Sequence, residues 1–165
     1  GMVDYHPNRG YFVAELSVAD LLEVYRMREL LEAEAIRLAV PNLSDADVDD
    51  IADLVAQTDE AAAAGDLDRM TAANRRFHFA IFDASGMPRM SRILRQLWDA
   101  TDVYRAVYYS DSRNRDRVGQ EHAQMIAALR KRDANRLVAL QDRHRSFTID
   151  SIRTSLTIHE SQEDA

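Results

Sequence analysis

The sequence contains no cysteine, and its 165 residues include only five glycines and three prolines. Without cysteine the chain has no disulfide and no thiolate ligand, so any metal site must use histidine, amide or carboxylate groups. The shortage of glycine and proline disfavours a sheet with many tight turns and favours long helices. No apolar run approaches the length of a membrane span and no signal peptide is visible, which predicts a cytoplasmic protein without a membrane partner.

Acidic residues outnumber basic ones, 28 to 21, which gives a formal net charge of −7. A surface of this sign repels nucleic acids and anionic membranes, so these residues themselves are not expected to bind DNA. The length suits one domain with a sizeable core.

Apolar residues recur at helical spacing along most of the chain. They predict an all-α fold, an antiparallel bundle of six or seven helices with short connections. Ser17, Ser44 and Asp66 are typical N-cap residues ahead of three of these helices, and Pro41 and Gly65 are typical stop signals.

In the second half of the sequence, two predicted helix boundaries rest on polar composition alone. The polar, mixed-charge segment 110–117 is predicted to be a loop, which separates a helix beginning at residues 87–88 from one beginning near Val118. The last helix is predicted to end near Thr157, with a disordered tail over residues 158–165.

Four polar side chains on the inner helix faces could share a metal ion. Asn74 and His78 are four residues apart, so their side chains lie one turn apart on one helix. His122 and His144 fall within the apolar stripes of later helices. Imidazole and amide donors that converge in this way can bind one ion. A single core histidine is more often a packing residue with a satisfied hydrogen bond, so spacing alone leaves both interpretations open.

Two arginines interrupt apolar stripes. Arg28 lies either at the edge of its stripe, paired with Glu32, or in the interior, where its guanidinium could bind a carboxylate or phosphate. Arg105 either faces inward as well or covers Trp98 or Tyr108 by a cation–π contact.

In their order and spacing, four motifs resemble the effector-binding FCD domain of GntR-type transcriptional regulators. The resemblance covers about Val18–Leu156, and the motifs are Arg28-Glu-Leu-Leu-Glu32, Asn74-Arg-Arg-Phe-His78, Glu121-His122 and His144. The segment Arg9-Gly10-Tyr11-Phe12-Val13, β-prone at its end, resembles the end of the wing in the winged helix-turn-helix domain that precedes FCD. The predicted division is therefore 1–16 as wing remnant and linker, 17–157 as FCD domain and 158–165 as tail.

The resemblance implies a function and a set of site residues. A divalent ion (zinc, nickel or manganese) would be held by Asn74, His78, His122 and His144. A small organic acid, the effector, would bind the metal through its carboxylate. The residues expected to contact it are Arg28 or Arg105 as a second anchor, with Thr101 and Tyr104 in the pocket wall. A homodimer is expected, with DNA bound only through the N-terminal domain missing from this chain.

The family usually has aspartate where Asn74 stands. A neutral ligand set leaves the full charge on the metal, so weaker metal retention and a stronger attraction for an anionic effector are expected.

Two other functions fit parts of the pattern. A metal-dependent hydrolase would need a general base, and Glu121 is nearest in sequence to His122, but adjacent helix positions project about 100° apart. A metal-free structural dimerisation bundle would use the histidines as core residues. The expected protein is a regulator rather than an enzyme.

Overall fold

The computed structural model describes the backbone of residues 3–6, 10–13 and 18–163, and the side chains of residues 19–102, 105 and 108–154. The described part is a bundle of seven helices preceded by a two-stranded hairpin. The elements are β1 (Val3–His6), β2 (Gly10–Val13), α1 (Val18–Ala39), α2 (Asp45–Ala64), α3 (Leu67–Asp83), α4 (Pro88–Asp99), α5 (Asp102–Ser110), α6 (Ser112–Arg130) and α7 (Ala134–Glu163).

The predicted all-α bundle is confirmed. Its first half also follows the predicted caps. Ser44 Oγ accepts a hydrogen bond from the backbone N–H of Asp47, whose side chain accepts from the backbone N–H of Ser44, so the two residues form a capping box ahead of α2. Gly65, at φ +69°, ends α2 in the left-handed conformation that glycine adopts without strain. Asp66 caps α3 by accepting from the backbone N–H of Arg69.

The predicted β-prone run is the second strand of an antiparallel hairpin, in which Val3 pairs with Val13 and His6 with Gly10. Its partner, β1, was not predicted. Arg9 lies outside the described residues, and the interpretation of residues 1–16 as a wing remnant stays a prediction.

Three boundaries differ from the sequence prediction. The helix that begins at Pro88 is interrupted at residues 100–101, which separate α4 from α5. The predicted loop over 110–117 is wrong, because α6 begins at Ser112, with Asp111 accepting from the backbone N–H of Arg113 as its N-cap. Its polar first turns are the exposed side of a helix. The backbone of α7 is helical as far as Glu163, beyond the predicted end near Thr157.

The main core fills the space between α1, α2, α3, α4, α6 and α7, with α5 lying against α3, α6 and α7. Its largest fully buried apolar side chains come from α1, α3, α4 and α6: Ile36, Phe77, Phe82, Leu94, Trp98, Met125 and Leu129. A cluster of polar side chains from the same helices lies among them. Within the described residues, each helix is too short or too polar to cross a membrane.

Candidate metal centre and effector cavity

Three histidines from three helices meet in the interior of the bundle. His78 (α3), His122 (α6) and His144 (α7) are buried, and the centroids of their rings are 5.2–5.3 Å apart, so the three rings mark a nearly equilateral triangle. One ring nitrogen from each lies within 4.8 Å of the others. Zn–N bonds of about 2.0–2.1 Å keep two ligands of one ion within about 4.2 Å of each other, so small ring movements would let all three bind it.

The ring nitrogens of two of these histidines are buried without hydrogen-bond partners. Both Nδ1 and Nε2 of His78 and of His122 lack a partner among the described residues. A core histidine that serves packing alone is normally hydrogen-bonded, because an unsatisfied buried polar atom costs about 1–3 kcal/mol. Unused nitrogen lone pairs that face one another fit a bound cation, so the chemistry of this donor set suits a divalent metal.

Asn74 adds an oxygen beside the histidines. It lies one turn before His78 on α3 and is buried, and its Oδ1 also lacks a hydrogen-bond partner. Asn74 and His144 line the same small cavity. The helical spacing places this amide one turn from His78, and its role as a metal ligand stays a prediction.

A carboxylate touches the cluster through His144. Glu121, buried on α6, places Oε2 at 2.6 Å from His144 Nδ1. A hydrogen bond donated by His144 Nδ1–H to this carboxylate would leave the Nε2 lone pair of His144 available to a metal. Carboxylates that orient a ligating histidine in this way are common around metal sites. The sequence analysis gave Glu121 as part of a family motif and as the nearest possible base beside His122, and did not predict its contact with His144, although Val118 and Met125 place it on the buried stripe of α6.

Two arginines meet at Thr101, where the chain breaks between α4 and α5. Thr101 Oγ1 accepts from Arg28 Nη1 at 3.1 Å and from Arg105 Nη2 at 3.4 Å. Both guanidinium carbons lie 4.2 Å from the centroid of the Trp98 ring, and both arginines are buried. For each arginine, both interpretations drawn from the sequence hold at once. Arg28 is interior and pairs with Glu32, and Arg105 is interior and lies over the Trp98 ring.

The arginines, Asn74 and His144 surround a small cavity of about 20 Å³. Four aromatic side chains complete much of its wall: Tyr25, Trp98, Tyr108 and Tyr109. This volume holds about one water molecule. An organic acid would therefore fit only after the side chains that form the cavity wall have moved. These side chains come from α1, α3, α4, α5 and α7.

The sequence matches the FCD domain family over residues 23–147. The chain belongs to the FCD domain family. Among curated proteins, the HTH-type transcriptional regulator McbR of Escherichia coli (strain K12) is 34% identical over 92 residues, which are 56% of this chain and 42% of McbR. The Nta operon transcriptional regulator of Aminobacter aminovorans is 23% identical over 154 residues, 92% of this chain and 70% of that protein.

Solved structures share the fold. E. coli McbR/YncC superposes with a TM-score of 0.86 at 24% identity, covering 93% of this chain and 78% of that one. A GntR transcriptional regulator from Rhodococcus sp. RHA1 gives a TM-score of 0.76 at 20% identity, over 93% and 73% of the two chains. The predicted relationship to GntR-type regulators is confirmed, and the relatives are named as transcriptional regulators.

The centre of this FCD domain also contains an ionic network around Glu32. The carboxylate is fully buried and accepts four hydrogen bonds, from Arg28 Nε (2.8 Å), Trp98 Nε1 (2.8 Å), Gln141 Nε2 (2.9 Å) and Arg145 Nη1 (2.6 Å). Burial alone would raise the pKa of Glu32, but the charges of Arg28 and Arg145 and the hydrogen bonds outweigh it and lower the pKa. Gln141 and Arg145 also line the FCD cavity, and neither was predicted.

Of the predicted site residues, the structure brings together His78, His122 and His144 as a cluster, and Asn74, Arg28 and Arg105 around the adjoining cavity. Thr101 is buried and holds the two arginines. The side chain of Tyr104 lies outside the described residues. Glu121, the proposed base of a hydrolase, is bonded to His144.

Burial keeps His78 and His122 of this FCD domain in the form that binds metal. Burial lowers the pKa of His78 well below 6.5, and His122, His144, Arg28 and Arg105 lower it further. Burial, followed by the charge of His144, likewise lowers the pKa of His122. Both imidazoles are therefore neutral at neutral pH and ready to bind a metal.

These shifts predict that the metal-free domain loses stability in mild acid. In the unfolded chain both histidines bind protons below pH 6.5, whereas in the fold their pKa values are lower. The unfolded state then binds more protons, so the free energy of unfolding falls as pH drops below 6.5, by up to about 3 kcal/mol per pH unit for two protons. Urea unfolding at several pH values measures the slope, and His122→Leu should halve it. A stability unchanged between pH 6.5 and about 5 would contradict the assignment.

Proposed function

We propose that this FCD domain is the effector-sensing domain of a GntR-type regulator, in which a divalent metal and a small organic acid bind together. The proposal rests on the three buried histidines whose ring nitrogens converge beside an arginine-lined cavity. The metal ligands would be Asn74, His78, His122 and His144. Imidazole-rich sites suit zinc and nickel better than manganese, which prefers carboxylates.

The effector would be an anion that reaches both the metal and the arginines. A divalent metal held there would act as a Lewis acid towards a carboxylate oxygen. Arg105 and Arg28 supply charge-assisted donors, with Thr101 holding them side by side, and Tyr104 is proposed for the wall. Since the cavity has a volume of only about 20 Å³, binding would favour an arrangement of the helices that enlarges it. That preference would couple effector binding to the position of α1, the helix that follows the hairpin.

Titration with carboxylates tests this assignment. Calorimetry of zinc-loaded protein with acetate, lactate and succinate should give saturable heat with at least one of them. Arg105→Met removes a charged donor and keeps most of the aliphatic stem, so we expect it to weaken that binding about 10- to 100-fold. Arg113→Gln is the control, because the Arg113 side chain is 86% exposed, and should leave the affinity unchanged. Absence of heat with a wider carboxylate panel would count against the function.

DNA binding is proposed for a winged helix-turn-helix domain ahead of the FCD domain, with residues 1–16 as the end of its wing. The β1–β2 hairpin supports this assignment. We also propose a cytoplasmic homodimer, since two-fold operators require two-fold proteins. Exposed apolar side chains on α1 and α4, including Leu22, Leu30 and Ile93, offer a surface for a second copy. Sedimentation equilibrium that finds only monomers would contradict the dimer.

A further inference from the structure

The ligands of the proposed metal centre carry no negative charge. Asn74 contributes an amide oxygen, and His78, His122 and His144 contribute imidazoles. Glu121 touches this set, but its Oε2 is engaged by His144 Nδ1, so it acts on a metal only through the ring. Of the described residues, no carboxylate joins the three histidines as a ligand. The centre thus neutralises none of the ion's charge directly.

The adjoining side chains add positive charge. Arg28 and Arg105 line the cavity that Asn74 and His144 share. The Arg28 guanidinium is compensated by the buried Glu32, whereas Arg105 pairs with Asp102, whose side chain is 38% exposed and which also pairs with Arg75. A divalent ion at the histidines would lie close to a buried guanidinium that is only partly compensated. Like charges in a poorly solvated interior repel strongly, so this arrangement disfavours the ion alone.

We propose that, given the metal-dependent effector site above, metal and anion bind to this FCD domain as a cooperative pair, each tightening the binding of the other, with Asn74 as the residue that imposes the coupling. An anionic oxygen donor would complete the metal coordination, offset part of the ion's charge and pair with Arg105. An aspartate at this position would supply that charge permanently and let the ion bind alone. By linkage, the factor by which the anion tightens metal binding equals the factor by which the metal tightens anion binding. The domain then reports the joint presence of both.

The test measures zinc affinity of the purified chain by competition with a chromogenic chelator, with and without saturating acetate, lactate or succinate. Each value is corrected for the weak binding of zinc by the acid itself, and ionic strength is held constant with nitrate. In the natural sequence at least one acid should tighten zinc binding about 10-fold or more. In Asn74→Asp, zinc should bind more tightly without acid, and the acid should tighten it less than about 3-fold.

Two controls separate local charge from general effects. Asn135→Asp adds the same charge at an exposed position in the first turn of α7 and should behave as the natural sequence. Asn74→Ser keeps the centre neutral and should retain the coupling, which also serves if Asn74→Asp folds poorly. Isotope-edited NMR of labelled acetate on metal-free and zinc-loaded protein measures the reciprocal factor.

The possible results distinguish a failure of the coupling from a failure of the metal site itself. If zinc does not bind under any condition, the proposed function fails and this inference with it. If zinc binds with equal affinity with and without every acid, the metal site stands and the coupling is wrong. Equal coupling in the natural sequence and in Asn74→Asp would remove the role assigned to Asn74.

Discussion

Replacing Glu32 by glutamine should lower the free energy of unfolding of the metal-free domain by about 3–5 kcal/mol, the range found when one partner of a buried ion pair is removed. The variant keeps the size of the side chain and removes its charge. Arg28 and Arg145 would then be buried with no carboxylate between them. The amide nitrogen would face two donors in either orientation, Arg28 and Trp98 at the Oε1 position or Gln141 and Arg145 at the Oε2 position. Urea denaturation monitored by circular dichroism measures the loss.

The control for this substitution is Glu29→Gln, one helical turn earlier. Glu29 pairs with Arg26 at the surface, where both side chains are well exposed, and such pairs contribute about 0–1 kcal/mol. The lowered pKa of Glu32 determines how its contribution to stability changes with pH. Its stabilising contribution is present at neutral pH and is lost only as acid protonates it, below the range in which the histidines act. A loss under about 1 kcal/mol in Glu32→Gln would show that water or rearrangement solvates the two guanidiniums.

The helices of this domain were largely predictable because their signals are local. Apolar periodicity and the caps at Ser44, Gly65 and Asp66 gave the first three helices to within a few residues. The break at Thr101 was missed because the stripe of Leu94 and Trp98 continues in register through Thr101, without glycine or proline to mark the interruption. Segment 110–117 was misread because the exposed side of a helix and a loop share the same polar composition.

The candidate site was predictable only where its residues lie on helical stripes. His122 and His144 interrupt apolar faces, and Asn74 precedes His78 by one turn, so the pattern indicated that these side chains face inward. The pairing of Arg145 with Glu32 joins residues 113 positions apart. No local pattern encodes such a contact, since it depends on how α1 and α7 pack. Glu121 is an intermediate case, because its place on the α6 stripe was visible but its contact with His144 was not.

Adding zinc should raise the melting temperature of the domain, and His122→Leu should abolish that rise while stabilising the metal-free protein. At zinc about 100-fold above its dissociation constant, ligand linkage contributes about 2.7 kcal/mol. For a domain of this size that corresponds to about 5–10 °C. His122→Leu removes one ligand and two buried nitrogens that lack partners, so the metal-free fold should gain about 1 kcal/mol or more. Differential scanning fluorimetry with zinc, nickel and a chelator measures both effects.

His122→Leu should raise the stability of the metal-free domain and abolish its response to zinc. This combination distinguishes a metal ligand from a packing residue. Phe77→Leu is the matched control, because the Phe77 ring lies 4.3 Å from the His122 ring and is fully buried, yet offers no ligand atom. Truncating it should cost stability through lost packing and leave the zinc-induced rise intact. If His122 served the core alone, its replacement would behave as Phe77→Leu does, with lower stability and an unchanged response to zinc. A metal-free domain stabilised by losing a histidine would mean that the chain keeps this residue, at a cost in stability, for the ion it binds.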